Sequence, residues 1–558
     1  MNALRSEIRP GAYYDSVVLM QLQRALAALP GVIDAGVVMA TPANLELLAA
    51  SALLTAEGRQ ANPDDLLLVI KAETEEAAEA ALAQVESLLQ QRRVGGEAGF
   101  RPKSLATALR MLPHAQWVLI SAPGRFAAGV ARQALALGRH VFLYSDNVSL
   151  ADEVALKQAA WQQGLLVMGP DCGTAIIQGV GLGFANRVRR GVIGLVGASG
   201  TGLQAITSHI HQLGGGVSQA IGVGGRDLSQ AVGGLTARQA LDLLGRDPAT
   251  QVIVLMSKPP APAVAAQLLA LARSLSKPVV VDFIGYPPPA RRLGNVHFAA
   301  TLRESAELSY ALSLETPKMA GNRPNPFTGY VRGLFSGGTL AYEAVLALQG
   351  LLVPLYTNTP IQPAQALADP WLSQAHTLVD MGADEFTQGR LHPMLDQDTR
   401  IRRLRQEAAD PAVGFILLDV VLGAGAHPDP AAELAPVVAE IKAQRDLPIG
   451  VILVGTDDDP QSRAAQAEQF LQAGALLFED TTAAAEYIAR HAPAADAAPA
   501  MPVALDLLQK PLAAVNIGLE SFYTSLLAQG ADALQVEWRP PAGGNEKMAA
   551  LLARLRNA

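Results

Sequence analysis

Apolar positions along the chain follow two alternating periodicities. Short continuous apolar runs such as GVVMA, LLLVI, WVLIS, HVFLY, GLVGA and VIVLM are typical of strands buried on both faces of a parallel sheet. Between them lie stretches with helical spacing, of which TEEAAEAALAQVESLLQQRR is a strongly amphipathic example. This alternation predicts an α/β protein built from several βα units.

The same rhythm divides the 558 residues into five predicted parts. Residues 1–100 form a small N-terminal α/β domain, and residues 101–190 form a Rossmann-like domain. Residues 191–318 and 328–492 form two further domains with parallel sheets, separated by the Pro-rich bridge ETPKMAGNRPNPFTG. The Ala/Pro-rich linker HAPAADAAPAMP leads to a last module at 500–558.

Composition narrows the class of protein. Half of the residues are apolar and 17% are charged, which suits several buried cores, and a net charge of −8 gives no reason to expect nucleic acid. The single cysteine, Cys172, excludes a disulfide framework and favours a reducing compartment. The first residues lack the apolar core of a signal peptide, and no apolar run is long enough to span a membrane, so we expect a cytoplasmic protein.

Two copies of one strand–turn–helix motif carry the candidate chemistry. GLVGASGTGL (194–203) and GLFSGGTL (333–340) each place Ser, Gly and Thr between a strand and a helix. A helix N-terminus has unpaired N–H groups and a partial positive charge, so it suits phosphate. A plain N-cap role for these hydroxyls is the alternative. We predict that two such ends clamp one phosphate through Ser199, Gly200, Thr201, Gly202, Ser336, Gly337, Gly338 and Thr339.

The chain resembles a known family over nearly its whole length. GVIGLVGASGTGLQ, AIGVGGRDL, GRDPATQVIVLM and SKPVVVDFIGYPPPARRLGN resemble the ligase domain of the succinyl-CoA synthetase α subunit. SAPGRF and LLVMGPDCGT resemble the end of its CoA-binding domain, and residues 330–490 resemble the C-terminal ligase domain of the β subunit. The fused order, with YYDSVVLMQ, ATPANLELLAA, YSDNVSL and GADEFTQGRLHPMLD, is similar to the FdrA proteins. The resemblance implies a Rossmann-like CoA-binding-type domain and two flavodoxin-like ligase domains.

The sequence departs from succinyl-CoA synthetase where that family carries a phosphorylated histidine. The lead ARRLG is followed by Asn295 at the position of that histidine, and His297 comes two places later. Lys258 stands where the family has the glutamate that orients the histidine. The resemblance, with these changes, implies that Lys258 and Asn295 are catalytic residues that act on an anion without forming a covalent bond to it. A scaffold that has lost its activity is the alternative.

The resemblance to FdrA proteins implies a reaction and an assembly. Some FdrA proteins are implicated, with two partner proteins, in oxamate carbamoyltransferase activity during allantoin degradation, a branch of purine catabolism. We therefore predict carbamoyl transfer between a ureido acid such as oxalurate and phosphate, giving carbamoyl phosphate, in a hetero-oligomer with two partner subunits. This reaction requires no cofactor, because phosphate is a substrate, and CoA binding is left open. The alternatives are an acyl-CoA synthetase component, which is an acid–thiol ligase, and a non-catalytic organising subunit that docks through 500–558.

The remaining predicted substrate-binding residues lie in loops that follow strands, where ligands usually bind in α/β sheets. They are Asp171 and Cys172 in GPDCGT, Arg390 and His392 in QGRLHP, and Gly423, Gly425 and His427 in GAGAHPDP. Arg390 or His392 is expected to meet a substrate carboxylate. A small buried residue is the alternative for Cys172, and a loop-shaping role is the alternative for His427. The acidic stretch GTDDDPQS indicates a solvated helix start and no metal site.

Overall fold

The computed structural model describes residues 3–10, 16–62, 65–91, 101–286, 288, 291–315, 327–491 and 501–539. Its strands are β1 (Ala3–Arg9), β2 (Val32–Met39), β3 (Leu66–Ala72), β4 (Trp117–Ile120), β5 (His140–Leu143), β6 (Val167–Met168), β7 (Thr174–Ile177), β8 (Val180–Gly183), β9 (Arg190–Gly197), β10 (Val217–Gly222), β11 (Val252–Ser257), β12 (Val279–Phe283), β13 (Arg292–Leu293), β14 (Val296–Phe298), β15 (Tyr330–Phe335), β16 (Leu355–Thr357), β17 (His376–Asp380), β18 (Val413–Val421), β19 (Ile449–Val454), β20 (Leu476–Phe478), β21 (Ala513–Ile517) and β22 (Asp532–Val536). Its α-helices are α1 (Ser16–Ala27), α2 (Pro42–Ala50), α3 (Glu75–Gln91), α4 (Leu105–Met111), α5 (Gly124–Ala136), α6 (Leu150–Gln163), α7 (Gly200–Gln212), α8 (Leu235–Arg246), α9 (Pro262–Ser274), α10 (Leu302–Leu314), α11 (Gly338–Leu348), α12 (Asp384–Thr387), α13 (Asp398–Ala409), α14 (Pro430–Gln444), α15 (Arg463–Gln472), α16 (Thr481–His491) and α17 (Glu520–Ala528).

The chain divides into two compact units, one formed by residues 1–139 with 512–558 and the other by residues 140–511. The first unit begins with a three-stranded antiparallel sheet in which β3 lies between β1 and β2. Every residue from Leu66 to Ile70 is fully buried, because β3 is the central strand and has side chains covered on both faces. Leu22 and Leu26 of α1 and Val85 of α3 pack against this sheet.

The first unit also contains the last described strands of the chain. β21 pairs in parallel with both β4 and β22, with Val515 opposite Val118 and Leu534. This corrects the prediction of a separate module at 500–558, because residues 513–536 extend the sheet that contains β4. The apolar runs AAVNI and WVLI satisfy each other's main-chain hydrogen bonds, a pairing that periodicity alone does not reveal.

The second unit contains two large sheets. In the first of them, β10, β9, β11, β12 and β14 run parallel, in that order, and β7 with β8 extends the β10 edge in antiparallel pairing. β11 is buried along its whole length, as its continuous apolar sequence predicts. Helices cover the sheet, and Leu203 and Ile206 of α7 join its core.

The other large sheet of the second unit is fully parallel, in the order β16-β17-β15-β18-β19-β20. Separate apolar cores lie on its two faces, one centred on α13 and α14 and the other on α11 and α16. The predicted α/β fold class with parallel sheets is therefore confirmed. Among the described residues, no helix combines the length and apolar character that crossing a membrane requires.

Candidate functional site

The first large sheet reverses its strand order at β9, which places a crevice beside the predicted phosphate turn. α7 leads from β9 to β10 on one side, and the chain then crosses to β11 on the other side. In open α/β sheets, ligands bind outside the carboxyl ends of the strands at such a reversal. The two lips of this crevice are the turn from β9 to α7 and the loop that follows β11.

Ser199 caps α7 and leaves two amides at its open end. Its side-chain oxygen accepts the N–H of Gly202 at 3.2 Å, which confirms the N-cap role of this hydroxyl. The N–H groups of Gly200 and Thr201 remain at the helix end, where an anion is stabilised by the helix dipole. A Cβ on Gly202 would collide with the methyl group of Met256, so this glycine is required for packing.

Thr174 supplies a further polar group at the same helix end. Its side chain is 2% exposed, and its Oγ1 is buried without a hydrogen-bond partner among the described residues. A Cβ built on Gly200 would lie 3.3 Å from this oxygen, so the hydroxyl faces the first residue of α7. Buried hydroxyls almost always have a partner, and an anion at the helix end would provide one. The α7 end therefore fits one tetrahedral oxyanion.

The two predicted catalytic residues lie at opposite ends of the parallel strands, Lys258 at the carboxyl ends and Asn295 at the amino ends. Lys258 follows β11 directly and is exposed on the second lip of the crevice. Asn295 precedes β14 and lies at the amino edge, where its Nδ2 donates to the carbonyls of Ala272, Leu275 and Lys277 at 2.9–3.1 Å. The neighbouring strand β12 has five residues, a length of about 16 Å. This distance corrects the predicted pairing, because Asn295 cannot share a site with Lys258 and instead closes the end of α9.

Asp171 and Cys172 lie in the turn before β7. Asp171 is exposed, and its Oδ2 would be 3.9 Å from a Cβ on Gly225, so it lies on the rim of the crevice. Cys172 is 3% exposed, its Sγ donates to the carbonyl of Thr174 at 3.7 Å, and burial raises the pKa of its thiol to about 12. The prediction of Cys172 as a substrate-binding residue is therefore corrected to its alternative, a small buried residue.

The second predicted phosphate turn, at α11, carries carboxylates. Ser336 is 1% exposed, and both its N–H and its hydroxyl donate to the carboxylate of Asp419, at 2.6 and 3.0 Å. A Cβ on Gly338 would lie 2.8 Å from Oδ2 of Asp380. Asp419 thus takes both donors of Ser336, which corrects its predicted role in the phosphate clamp, while the roles of Gly337, Gly338 and the exposed Thr339 stay predictions.

The carboxyl groups at α11 are shifted toward their protonated forms. Burial raises the pKa of Asp419, although Arg400 at 3.1 Å opposes this shift. Burial and the nearby Asp419 raise the pKa of Asp380, and the N–H of Gly382 partly opposes the shift. The neighbours of the α11 end are Asp380, Met394 and Asp419, whereas those of the α7 end are Gly173, Thr174 and Met256. The end of α11 is therefore lined by carboxyl groups, whereas the end of α7 is lined by a hydroxyl group and main-chain atoms.

The other predicted substrate residues surround the α11 end. His392 accepts the N–H of Met394 at its Nδ1, and the N–H of His427 donates to the carbonyl of Met394 at 2.8 Å. His427 Nε2 lies 3.2 Å from Glu433, and the Arg390 guanidinium lies 5.3 Å from the centre of the Trp371 ring. The loop of His427 begins at Gly423, whose N–H donates to Gln461, and contains Gly425 at a φ of 85°. The loops of His392 and His427 thus meet at Met394, which contacts Gly337 at the α11 end.

In the sheet that was expected to bind CoA, the strand order reverses between β4 and β21, and the loops that follow these two strands are in close contact. A Cβ on Gly518 would collide with Ser121, and the N–H of Leu519 donates to Ser121 Oγ at 2.7 Å. Glu520 opens α17 and pairs with Arg101 at 2.5 Å. The start of α17 therefore presents an ion pair, and CoA binding at this sheet stays a prediction.

Sequence reasoning missed Thr174 and a buried ionic cluster beside the crevice. Lys157 binds Glu153 at 2.9 Å and Asp227 at 2.7 Å, and all three side chains are fully buried. Arg226 binds the other oxygen of Glu153 at 2.8 Å. The available signal was the Glu153–Lys157 spacing of four residues on a predicted helix, but nothing in the sequence shows that this face is covered.

Three family models match separate parts of the chain. A heavy metal-associated domain of AllF matches residues 1–103, a CoA binding domain matches residues 189–285, and a CoA-ligase domain matches residues 334–490. Residues 1–103 contain neither Cys nor His, so they lack the thiolate and imidazole ligands that heavy-metal sites commonly use. The CoA-binding match covers the sheet with the α7 crevice, not the predicted Rossmann-like domain at 101–190.

Two relatives support a succinyl-CoA synthetase-like family. The succinate–CoA ligase α subunit of Aquifex aeolicus is 27% identical over 218 residues, covering 36% of this chain and 70% of the relative. The Escherichia coli K12 protein named "Uncharacterized protein YahF" is 43% identical over 493 residues, covering 85% of this chain and 96% of the relative. The chain belongs to the family of YahF, and membership of the FdrA proteins stays a prediction.

The solved structures that resemble this chain are distant. A dinucleotide-forming acetyl-coenzyme A synthetase 1 from Ca. Korarchaeum cryptofilum covers 67% of this chain and 82% of its own, at 16% identity and a TM-score of 0.28. An ATP citrate lyase from Methanosaeta concilii covers 39% of this chain and 44% of its own, at 16% identity and a TM-score of 0.31. Such low similarity carries no argument about activity.

Proposed function

We propose that the chain transfers a carbamoyl group between a ureido acid and inorganic phosphate held at the N-terminus of α7. The observation that carries this proposal is the buried hydroxyl of Thr174, which faces Gly200 and has no protein partner among the described residues. Together with the N–H groups of Gly200 and Thr201, it forms three donors for one phosphate. The matches to CoA-binding and CoA-ligase domains support the proposal, because acyl-CoA ligases act on acyl groups.

The proposed step needs only the two substrates. An oxygen of hydrogen phosphate attacks the carbamoyl carbon of oxalurate, the bond from that carbon to the central nitrogen breaks, and the phosphate proton moves to that nitrogen. Carbamoyl phosphate and oxamate result, with no change of oxidation state. The protein orients the nucleophile and stabilises the tetrahedral intermediate. Lys258, on the opposite lip, is the residue we assign to the negative charge that develops on the carbonyl oxygen.

Phosphate stays non-covalent in this proposal because the histidines of this domain lie elsewhere. His297 lies on β14, where it is paired with Val280 of β12 and with Arg292 of β13, and burial together with Arg292 lowers the pKa of its imidazole. Asn295 is engaged by the end of α9. Lys258 and Thr174 therefore replace a phosphohistidine as the proposed ligands of the reacting group.

A second candidate is the phosphate-dependent half of an acid–thiol ligase reaction. The matches to CoA-binding and CoA-ligase domains favour it. The α7 end would then hold the phosphate of an acyl phosphate or a phosphate group of CoA, which offer the same oxyanion chemistry. In either case we propose that the chain works in a hetero-oligomer with two partner subunits, one of which would supply any nucleotide chemistry.

Phosphate titration of the Thr174→Val variant tests the proposed site. The variant keeps the side-chain shape and removes one donor to a charged ligand, so we expect the dissociation constant for phosphate, measured by calorimetry, to rise roughly 10-fold or more. Thr174→Ser should stay near the wild type. Thr207→Val is the matched control, because the buried Thr207 hydroxyl already donates to the carbonyl of Leu203 at 2.8 Å.

The reaction is tested on the full chain, alone and with its partner subunits. We expect carbamoyl phosphate from oxalurate and phosphate, and less of it from Thr174→Val. A thioester formed only when acyl phosphate and CoA are supplied would select the ligase candidate. Unchanged phosphate affinity in Thr174→Val would remove the α7 end from both reactions.

A further inference from the structure

We propose that Arg226 binds the carboxylate of the acyl or carbamoyl donor at the α7 crevice, so that the substrate is a small carboxylic acid. This inference rests on the proposed function, because it assigns the second half of the same site. Three observations support it: the position of Arg226 beside the crevice, the hydrogen bonds of its guanidinium, and the buried network that fixes its partner Glu153.

Arg226 lies on the loop beside the phosphate turn. It follows β10, whose end is tied to the turn because the N–H of Val223 donates to the carbonyl of Gly197 at 2.9 Å. The two residues before Arg226 are glycines packed against the turn at 169–171, where a Cβ on Gly224 would lie 2.9 Å from the Cα of Gly169. Arg226 is therefore at the carboxyl edge of the sheet, next to the lip formed by the α7 end.

The guanidinium of Arg226 is held in place by two hydrogen bonds and still has N–H donors available for a ligand. Its Nε donates to Glu153 Oε2 at 2.8 Å, and its Nη2 donates to the carbonyl of Val148 at 2.8 Å. Its side chain is 46% exposed, and Nη1 has no partner among the described residues. A guanidinium held by one side keeps its other donors for a planar carboxylate, which is the anion that it fits best.

Glu153 cannot move away with Arg226, because a buried network holds it. Lys157 Nζ donates to Glu153, to Asp227 and to the carbonyl of Val223, at 2.7–2.9 Å. Asp227 in turn accepts the N–H groups of Thr236 and Ala237 at the start of α8. The two cations and two carboxylates balance in charge. A fully buried acid on a fixed helix thus presets the position of Arg226, and this preorganisation favours ligand binding.

A purely structural role is the competing explanation, since Arg226 also links α6 to the loop after β10. Arg246 provides the matched control for this role. It donates to Asp242 and to the carbonyl of Val503 at 2.7–3.0 Å, and it is 35% exposed. It lies in the last turn of α8, which leads to the amino edge of the sheet, away from the crevice.

The experiment measures binding of three probes to the full chain by calorimetry, with and without saturating phosphate. The probes are oxalurate, succinate, and oxaluramide, in which an amide replaces the carboxylate of oxalurate. We expect at least one carboxylate to bind the wild type and Arg226→Gln to weaken it roughly 10- to 100-fold. Arg226→Lys should lie between, whereas Arg246→Gln should bind like the wild type.

Oxaluramide separates carboxylate recognition from general damage. Any affinity for it should be the same in Arg226→Gln and the wild type. The proposal is overturned if neither carboxylate binds the wild type, if Arg226→Gln binds them normally, or if Arg226→Gln loses both oxalurate and oxaluramide equally. Phosphate titration of the same variants reports the proposed function separately, because Arg226→Gln should keep the phosphate affinity that Thr174→Val loses.

Discussion

Buried polar side chains distinguish this site from an ordinary βα turn. Thr174 is nearly fully buried with an unpaired hydroxyl, and Lys157 is fully buried among carboxylates. A buried group of either kind is costly unless a partner satisfies it. The protein supplies all partners of Lys157 but none for the Thr174 hydroxyl among the described residues, so the ligand is expected to complete only the second.

Lys157→Met tests the buried network at the residue scale. Removing the lysine leaves two buried carboxylates with one cation, so we expect the free energy of unfolding, measured with urea, to fall by about 3–5 kcal/mol. Lys510→Met is the control, because its pair with Asp506 at 2.7 Å is 62% and 50% exposed and should contribute under about 1 kcal/mol. Equal urea midpoints for the two variants would contradict this assignment.

The turn and the cap at α7 could be predicted from sequence, whereas the side chains around them could not. Ser199 caps α7 as its position between strand and helix predicts. In the second motif the N-cap position is Gly337, which has no side-chain cap, and the preceding Ser336 gives both of its donors to Asp419, 83 residues away. The two motifs look alike because each places Ser, Gly and Thr between a strand and a helix, but only the first has a side-chain cap. The polar groups that face each helix end come from residues on other strands, and a local motif does not contain them.

At the scale of elements, the end of β10 positions the strand that carries Thr174. A Cβ on Gly222 would collide with the main-chain oxygen of Thr174 and lie 2.6 Å from Cys172 Sγ. The close approach of β10 and β7 therefore depends on this glycine. The apolar rhythm predicted β10 as a strand, but the antiparallel addition of β7 to its edge follows from the turn before β7 and is a tertiary feature.

Gly222→Ala should disturb the phosphate site through this contact. We expect a loss of about 1–3 kcal/mol in the free energy of unfolding and a weaker phosphate affinity, because β7 must shift. In Gly129→Ala, the new Cβ meets no described atom within 4 Å on helix α5, so that variant should be neutral or more stable by up to about 1 kcal/mol. Normal phosphate binding by Gly222→Ala would show that Thr174 does not depend on this packing.

At the scale of the whole molecule, residues near both ends of the chain build one sheet. β4 begins at Trp117, and its neighbour β21 begins at Ala513, almost 400 residues later. A chain ending at Pro511 would leave the buried edge of β4 without its partner. Unsatisfied main-chain groups and exposed apolar side chains should then unfold this part of the first unit.

Removal of residues 512–558 tests this connection. We expect β4 and α5 to lose protection from hydrogen exchange and to become sensitive to protease, because they lose their neighbours in the sheet. A docking module predicts the opposite result, namely an unchanged fold with loss of partner binding only. Native exchange rates in β4 after truncation would favour that interpretation over the sheet seen here.

The sequence by itself determined the α/β class, the parallel strands and the cap of α7, because these depend on periodicity and on neighbours within a few residues. Only the tertiary structure decided that Asn295 lies at the opposite sheet edge, that carboxylates face α11, and that Thr174 and the loop before Arg226 adjoin the α7 turn. These depend on strand order and direction, which join residues far apart in the chain. Charge and solvation at a site follow from that juxtaposition, and a linear pattern does not contain it.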